Sequence, residues 1–312
     1  MLKREYEGQN CSIARALDEL GFPTDTLVVL PSDDDFHLRG APVAEAIARD
    51  RAAGLTPFAI AAVAGSTNTG SVDAVGELAD VASTEGLWLH VDAAYGGGAR
   101  LSERDRDRVP DLDRADSVTV DPHKWFFQAY DIGGLLVRDG RMLSAVFGGR
   151  APEYYRGGET PGEGVPDDGH GAPDQLNFYK LSFEGTRRWR ALKLWMTWKH
   201  LGTPGFGRLI EANDDLAAYL GRRCAEADDF EALPEVPELS VVCFRHVPGG
   251  LADGALDAHQ DRLQAALELS GDGWLTTTRL RGSTWLRAGV LNYLATEADI
   301  DRLLDTLRRL AA

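Results

Sequence analysis

Asp116-Ser-Val-Thr-Val-Asp-Pro-His-Lys-Trp125 passes from a short alternating, β-like run into a lysine held between a histidine and an aromatic ring. A strand that ends on such polar residues belongs to a sheet, and its neighbours lie upstream. Residues 58–64 form a continuous apolar run of strand length, followed by the polar loop Gly65-Ser-Thr-Asn-Thr-Gly70. Residues 87–91 form another, which stops at Asp92-Ala-Ala-Tyr-Gly-Gly-Gly98. Apolar spacing at 41–53 and 75–85 predicts helices between the strands, the first begun by Pro42 and closed by Gly54. Strands at 26–30 and 132–137 and a short helix at 12–20 extend the pattern. Short apolar strands alternating with amphipathic helices predict an α/β fold, a mostly parallel sheet with helices on both faces. In such sheets the polar residues just past the strand C-termini converge on the ligand crevice.

Farther along, residues 148–174 are dense in Gly and Pro, which sustain neither helix nor strand, so the sequence predicts a long mobile loop of the kind that serves as a lid. A strong helix at 187–201 follows, its Trp189, Trp195 and Trp198 assigned to packing. Beyond Pro204-Gly205 come a helix at 206–227, a strand at 240–245, a helix at 255–269, strands near 274–279 and 285–290, and a last helix at 297–310. These make a smaller α+β unit. The expected organisation is a large domain over 1–203 and a small C-terminal domain over 204–312.

Composition narrows the functional classes. A net charge of −16, with no basic patch or helix, argues against nucleic acid and anionic membrane as partners. Cys11, Cys224 and Cys243 are dispersed without a CxxC pair, the pattern of reduced thiols in a cytoplasm. The N-terminus lacks the apolar core of a signal peptide, and no apolar run approaches membrane-spanning length. His37, His90, His170, His200, His246 and His259 form no ligand-like cluster, so no metal is expected.

Lysine is scarce, only Lys3, Lys124, Lys180, Lys193 and Lys199, which gives Lys124 weight. By itself a strand-end lysine snorkels to water. Beside it, the strand ends offer Asp92, His123 and the hydroxyls of Ser66, Thr67 and Thr69. A carboxylate, an amine, an imidazole and hydroxyls at one sheet edge suit a cofactor with a basic ring nitrogen, an aldehyde and a phenolic oxygen. Pyridoxal 5′-phosphate has all three: Lys124 would hold it as a Schiff base, and Asp92 would keep its ring nitrogen protonated.

Leu87-Trp-Leu-His-Val-Asp-Ala-Ala-Tyr-Gly96, Asp116 to Trp125, Thr186-Arg-Arg-Trp-Arg-Ala-Leu-Lys-Leu-Trp195 and Arg287-Ala-Gly-Val-Leu-Asn292 together resemble the group II pyridoxal-phosphate-dependent amino acid decarboxylases, the aromatic-L-amino-acid and glutamate decarboxylase-like family. The resemblance implies a fold type I large domain with a smaller C-terminal α+β domain, and α-decarboxylation of an L-amino acid. It implies Lys124 as the Schiff-base lysine, Asp92 as the ring-nitrogen partner, and Thr67, Ala94 and His123 as pocket residues, with Asp121 near the phosphate. Tyr154 matches the mobile-loop tyrosine that protonates Cα after carbon dioxide leaves, which gives the 148–174 loop a closing role.

Two departures from the family pattern shape the expectations. The family carries a further N-terminal stretch that includes the phosphate-binding turn, so the expected partner is a separate polypeptide completing the sheet and the site, in a hetero-oligomer built on a two-fold dimer. The position of a ring-stacking histidine matches Asn10, within Gly8-Gln-Asn-Cys-Ser-Ile13. In the family an asparagine there accompanies oxidative deamination to an aldehyde, whereas Tyr154 accompanies simple decarboxylation, and the sequence leaves both outcomes open. A non-catalytic scaffold subunit is the alternative of another class, against which stand Asp92, His123, Lys124 and Tyr154.

Overall fold

The computed structural model describes residues 2–4, 12–148 and 178–312. Its first sheet has six strands in the order β2-β1-β3-β4-β5-β6: β1 (Leu2–Arg4), β2 (Val28–Leu30), β3 (Ala59–Val63), β4 (Trp88–Asp92), β5 (Ser117–Val120) and β6 (Gly134–Val137). All neighbours run parallel except β5 and β6, which pair antiparallel. Every residue of β3, Ala-Ile-Ala-Ala-Val, is buried, as its unbroken apolar run demands of a central strand. Between the strands stand α1 (Ser12–Glu19), α2 (Gly40–Ala52) and α3 (Val75–Glu85). Gly86, at φ 66°, ends α3 in the left-handed conformation and donates its N–H to the Ala82 carbonyl.

Ile47, Leu78, Leu89, Val91 and Trp125 belong to one buried cluster around this sheet. The alternation along β4 decides the rest. Leu89 and Val91 enter the core, while Trp88, His90 and Asp92 point to the other face and are only partly covered.

After α4 (Arg141–Phe147) comes α5 (Ala191–Ala225), broken at Gly202, whose φ of 63° and ψ of 172° are not helical. Two helices therefore meet there, as the sequence predicts on either side of Pro204-Gly205. The second sheet, all antiparallel, has the order β7-β8-β10-β9: β7 (Phe230–Leu233), β8 (Val241–His246), β9 (Thr276–Leu280) and β10 (Ser283–Gly289). With α6 (Asp253–Ser270) and α7 (Glu297–Ala311) it encloses a second buried cluster that includes Leu220, Phe244, Leu263, Leu286 and Leu304. Thr296 and Asp299 form a reciprocal capping box at the start of α7.

Three short elements, β1, β7 and α4, were not expected from the sequence, since three to seven residues carry too little periodicity. The strand expected at 26–30 is shortened because Thr24–Thr26 forms a 3-10 turn after Pro23. Among the described residues no helix is long and apolar enough to cross a membrane.

Candidate active site

The register of the central strands places the chemistry. Val63 pairs with Asp92, and Asp92 with Thr119, so the C-terminal ends of β3, β4 and β5 lie level. Just beyond them Asp121 donates its backbone N–H to the Ala94 carbonyl at 2.9 Å, which ties the two turns together. A cavity of about 630 Å³ opens on this edge and the adjoining sheet face. Thr67, Asp92, Ala94, Asp121 and Lys124 all line it, together with Ile13 and Leu17 of α1 and Leu20 just after it.

Lys124 sits in a tight turn: its N–H donates to the Asp121 carbonyl at 2.8 Å, and its carbonyl accepts from Phe127. The next residue anchors that turn. Trp125 is fully buried, stacks on Tyr95 at 4.8 Å between ring centroids, and donates its indole N–H to Asn213 Oδ1 on α5 at 3.1 Å. Tyr95 in turn lies 2.6 Å from Ser240 Oγ, and its burial pushes the phenol well above its ordinary value. The lysine is therefore half-exposed on a backbone held by the core. Its Nζ lies 3.0 Å from Asp121 Oδ2.

Asp92 accepts the Ala94 N–H at Oδ1, 3.1 Å, which turns the carboxylate back toward the strand end. Below it on the same face, His90 is flanked by Ser117 and Thr119 of β5. Burial holds the His90 imidazole below its ordinary value, against a smaller upward pull from the Asp92 charge.

The loop after β3 divides its hydroxyls. Ser66 Oγ and Thr69 Oγ1 lie 2.8 Å apart, Thr69 donates to Ser71 Oγ at 2.9 Å, and Ser71 donates to the Phe36 carbonyl at 3.0 Å, all buried. These hydroxyls hold the loop; only Thr67 is exposed at the cavity lip. Its carbonyl accepts the Arg287 Nε–H at 2.5 Å, from β10. Arg287 has no ion-pair partner among the described residues, and desolvation lowers the guanidinium from its ordinary value. Arg287 is not itself a cavity-lining residue; it reaches the cavity through the Thr67 carbonyl, and a cation without an acid beside such a lip can receive an anionic group.

Of the residues singled out in the sequence, Lys124, Asp92, Thr67, Ala94 and Asp121 are brought together. His123 is not among the cavity-lining residues: its Nδ1 lies 2.6 Å from the Ile132 carbonyl and its ring stacks on Tyr130 at 4.4 Å. Asn10 and Tyr154 lie outside the described residues. Arg287 and His90 were given no site role by the sequence. For Arg287 the cause is distance along the chain, 220 residues from Thr67; for His90 the even spacing to Asp92 was the available signal.

Comparison with known proteins gives these positions a context. A family model described as the pyridoxal-dependent decarboxylase conserved domain matches residues 10–247. The chain is 34% identical over 301 residues to an aromatic-L-amino-acid decarboxylase of Bacillus atrophaeus, covering 96% of this chain and 60% of that protein. It is 33% identical to an L-2,4-diaminobutyrate decarboxylase of Rhizobium meliloti, covering 95% of this chain and 57% of that protein. A crystal structure of mouse CSAD in apo form superposes with a TM-score of 0.87 at 29% identity, over 99% of this chain and 63% of that one. The chain thus spans about three fifths of the length of these relatives.

Proposed function

We propose, because the chain belongs to the pyridoxal-dependent decarboxylase family, that it carries the lysine-bearing part of a pyridoxal-phosphate-dependent α-decarboxylase acting on an L-amino acid. The observation that carries the reading is Lys124 and Asp92 in one cavity, at the ends of neighbouring strands. The residues present fit the cofactor. An amine that can hold a carbonyl carbon covalently and a carboxylate that can pair with a ring nitrogen face the same space, whose volume is that of a small-molecule site. When bound, pyridoxal phosphate supplies an electron-accepting ring for the charge left at Cα as the carboxyl group departs.

The chain's own groups take the remaining roles. Lys124 holds the cofactor. Asp92, fixed by the Ala94 N–H, keeps a proton on the ring nitrogen. Thr67 and Ala94 would border the cofactor in the cavity they line, and Asp121, 3.0 Å from Lys124 Nζ, would orient the amine. Arg287 receives the substrate carboxylate and orients the scissile bond. Tyr154 is assigned from the sequence as the proton donor to Cα, and His123 as a residue that enters the pocket only by leaving Tyr130.

Among amino acids we favour an aromatic one, in line with the first relative given above, and simple decarboxylation over oxidative deamination. Completion of the pocket by partner polypeptide surface is supported by the apolar side chains exposed at its rim, Leu20 at 74% and Phe58 at 45%. The test is incubation with pyridoxal phosphate and L-amino acids, with and without such a partner, measuring carbon dioxide, ammonia and hydrogen peroxide. Carbon dioxide with amine, lost in Lys124→Ala, is expected. Stoichiometric peroxide refutes simple decarboxylation; no cofactor binding under any of these conditions refutes the enzyme reading.

A further inference from the structure

Two aromatic residues stand just past the two residues assigned to the cofactor. Tyr95 follows Asp92 by three positions, Trp125 follows Lys124 directly, and their rings stack on each other in the core. Each ring has one polar handle, and each handle reaches a buried group outside the first sheet. The Tyr95 hydroxyl lies 2.6 Å from Ser240 Oγ, and the Trp125 indole N–H donates to Asn213 Oδ1 at 3.1 Å. Both groups pass the connection to the chain just after β10. Ser240 accepts the Val290 N–H at its carbonyl, 2.8 Å, and Asn213 Nδ2 donates to the Asn292 carbonyl at 3.2 Å. Arg287 lies near the end of β10, five residues before Asn292.

Asn213 is fully buried on α5, and its partners fix the orientation of its amide. An indole N–H only donates and a carbonyl only accepts, so Oδ1 faces Trp125 and Nδ2 faces Asn292. One side chain therefore spans from the lysine turn to the segment that carries Arg287. That turn needs outside support. Its backbone bonds run from the Lys124 N–H to the Asp121 carbonyl, from the Phe127 N–H to the Lys124 carbonyl and from the Gln128 N–H to the Pro122 carbonyl. Phe127 stands at φ 57°, in the left-handed region that a residue with a large side chain holds only when its surroundings fix it. The Phe127 ring meets Tyr293, the residue after Asn292, edge-on at 5.8 Å. The same short segment thus grips the turn twice, once through Asn213 and once through Tyr293.

We propose that Asn213 is a positioning residue: it couples the turn presenting Lys124 to the segment carrying Arg287 and holds the amine and the guanidinium in one register. This rests on the roles given to Lys124 and Arg287 above. Removing the amide leaves the indole N–H and the Asn292 carbonyl without these partners, which frees the turn and the segment relative to each other. The competing possibility is that Asn213 only stabilises the packing of α5.

Two measurements decide. In cofactor-free protein, hydrogen exchange read by mass spectrometry is expected to show the amides of residues 124–128 exchanging about tenfold faster in Asn213→Leu, with β3 and β4 unchanged. Trp125→Phe keeps an aromatic ring against Tyr95 while removing the indole donor, and is expected to act in the same direction. It keeps the test usable if Asn213→Leu fails to fold. Unchanged exchange at 124–128 in a folded variant overturns the proposal. So does an equal acceleration across β8, α6 and α7, which is general loosening. In protein loaded with pyridoxal phosphate, Asn213→Leu is expected to lower kcat/KM about tenfold for the L-amino acid that the unsubstituted protein decarboxylates, and less than about twofold in an Arg287→Gln background. Equal losses in the two backgrounds overturn the proposal, because a packing defect acts whether or not Arg287 is present. Failure of the unsubstituted protein to bind pyridoxal phosphate instead overturns the functional reading, and the register role with it, while the exchange rates still report whether Asn213 holds the turn.

Discussion

Lys124 Nζ stands 3.0 Å from Asp121 Oδ2, three residues back in the same turn. Both residues line the cavity, and the amine stays partly exposed there. Borohydride reduction of protein incubated with pyridoxal phosphate is expected to add one covalent pyridoxyl group, located at Lys124 by peptide mass spectrometry. Lys124→Ala should add none; labelling of Lys193 or Lys199 in its place would contradict the assignment.

Arg287 spends its Nε–H on the Thr67 carbonyl and meets no carboxylate among the described residues. Arg287→Gln should lower kcat/KM about 10²-fold, the scale of one charged hydrogen-bonded partner lost from a desolvated site. Arg287→Lys should recover little, because a point ammonium cannot both grip Thr67 and fork a carboxylate. Steady-state kinetics would show the loss; a kcat/KM within about threefold of the parent's in Arg287→Gln would remove Arg287 from substrate binding.

Gly65 opens the cavity loop at φ 91°, and a Cβ there would lie 2.7 Å from Gly96 N and 2.8 Å from Tyr95 Cδ1. Neither neighbour can yield, since Tyr95 is stacked on Trp125. Gly65→Ala is expected to destabilise the fold by about 3 kcal/mol, from backbone strain and overpacking together. Urea unfolding measures it, and a change below about 1 kcal/mol would show that the loop relaxes.

Asp214 on α5 is buried, and neither carboxyl oxygen has a hydrogen-bond partner among the described residues. Burial and the nearby Asp105 carboxylate push it up to about 8, outweighing Arg108 and Arg104. In the unfolded chain the same group sheds its proton near 3.8. Between those values the folded protein binds more protons than the unfolded one, so stability falls as pH rises, by up to about 1.4 kcal/mol per unit. Asp214→Asn should remove that slope and stabilise the protein near pH 8. Urea midpoints at about pH 5, 6.5 and 8 compare the two proteins; equal slopes would mean that Asp214 is ionised in the fold.

What was legible in the sequence is what repeats with a period. The runs around β3, β4 and β5 gave the parallel core, and Asp92 and Lys124 stood at strand ends where their chemistry could be read. The pairing register, Asp92 with Thr119, was not legible, because period-two alternation gives a face and not a partner. Arg287 was out of reach for a different reason: its meaning depends on β10 folding back to a loop 220 residues away. His123 shows the converse. The family resemblance implied a pocket residue, and the turn here sets its ring beside Ile132 and Tyr130.

The loop that follows β3 is also tied to the second sheet and to the segment leading into its strand β8. Arg287 grips the Thr67 carbonyl, Cys243 donates its thiol to the Asn68 carbonyl at 3.1 Å, and Glu238 accepts the Val72 N–H at 3.0 Å. In hydrogen exchange the amides of residues 66–72 should therefore open together with β8 and β10 as one cooperative unit, although they are connected covalently to β3. The lip of the cavity belongs, in its opening energetics, to the C-terminal half of the chain.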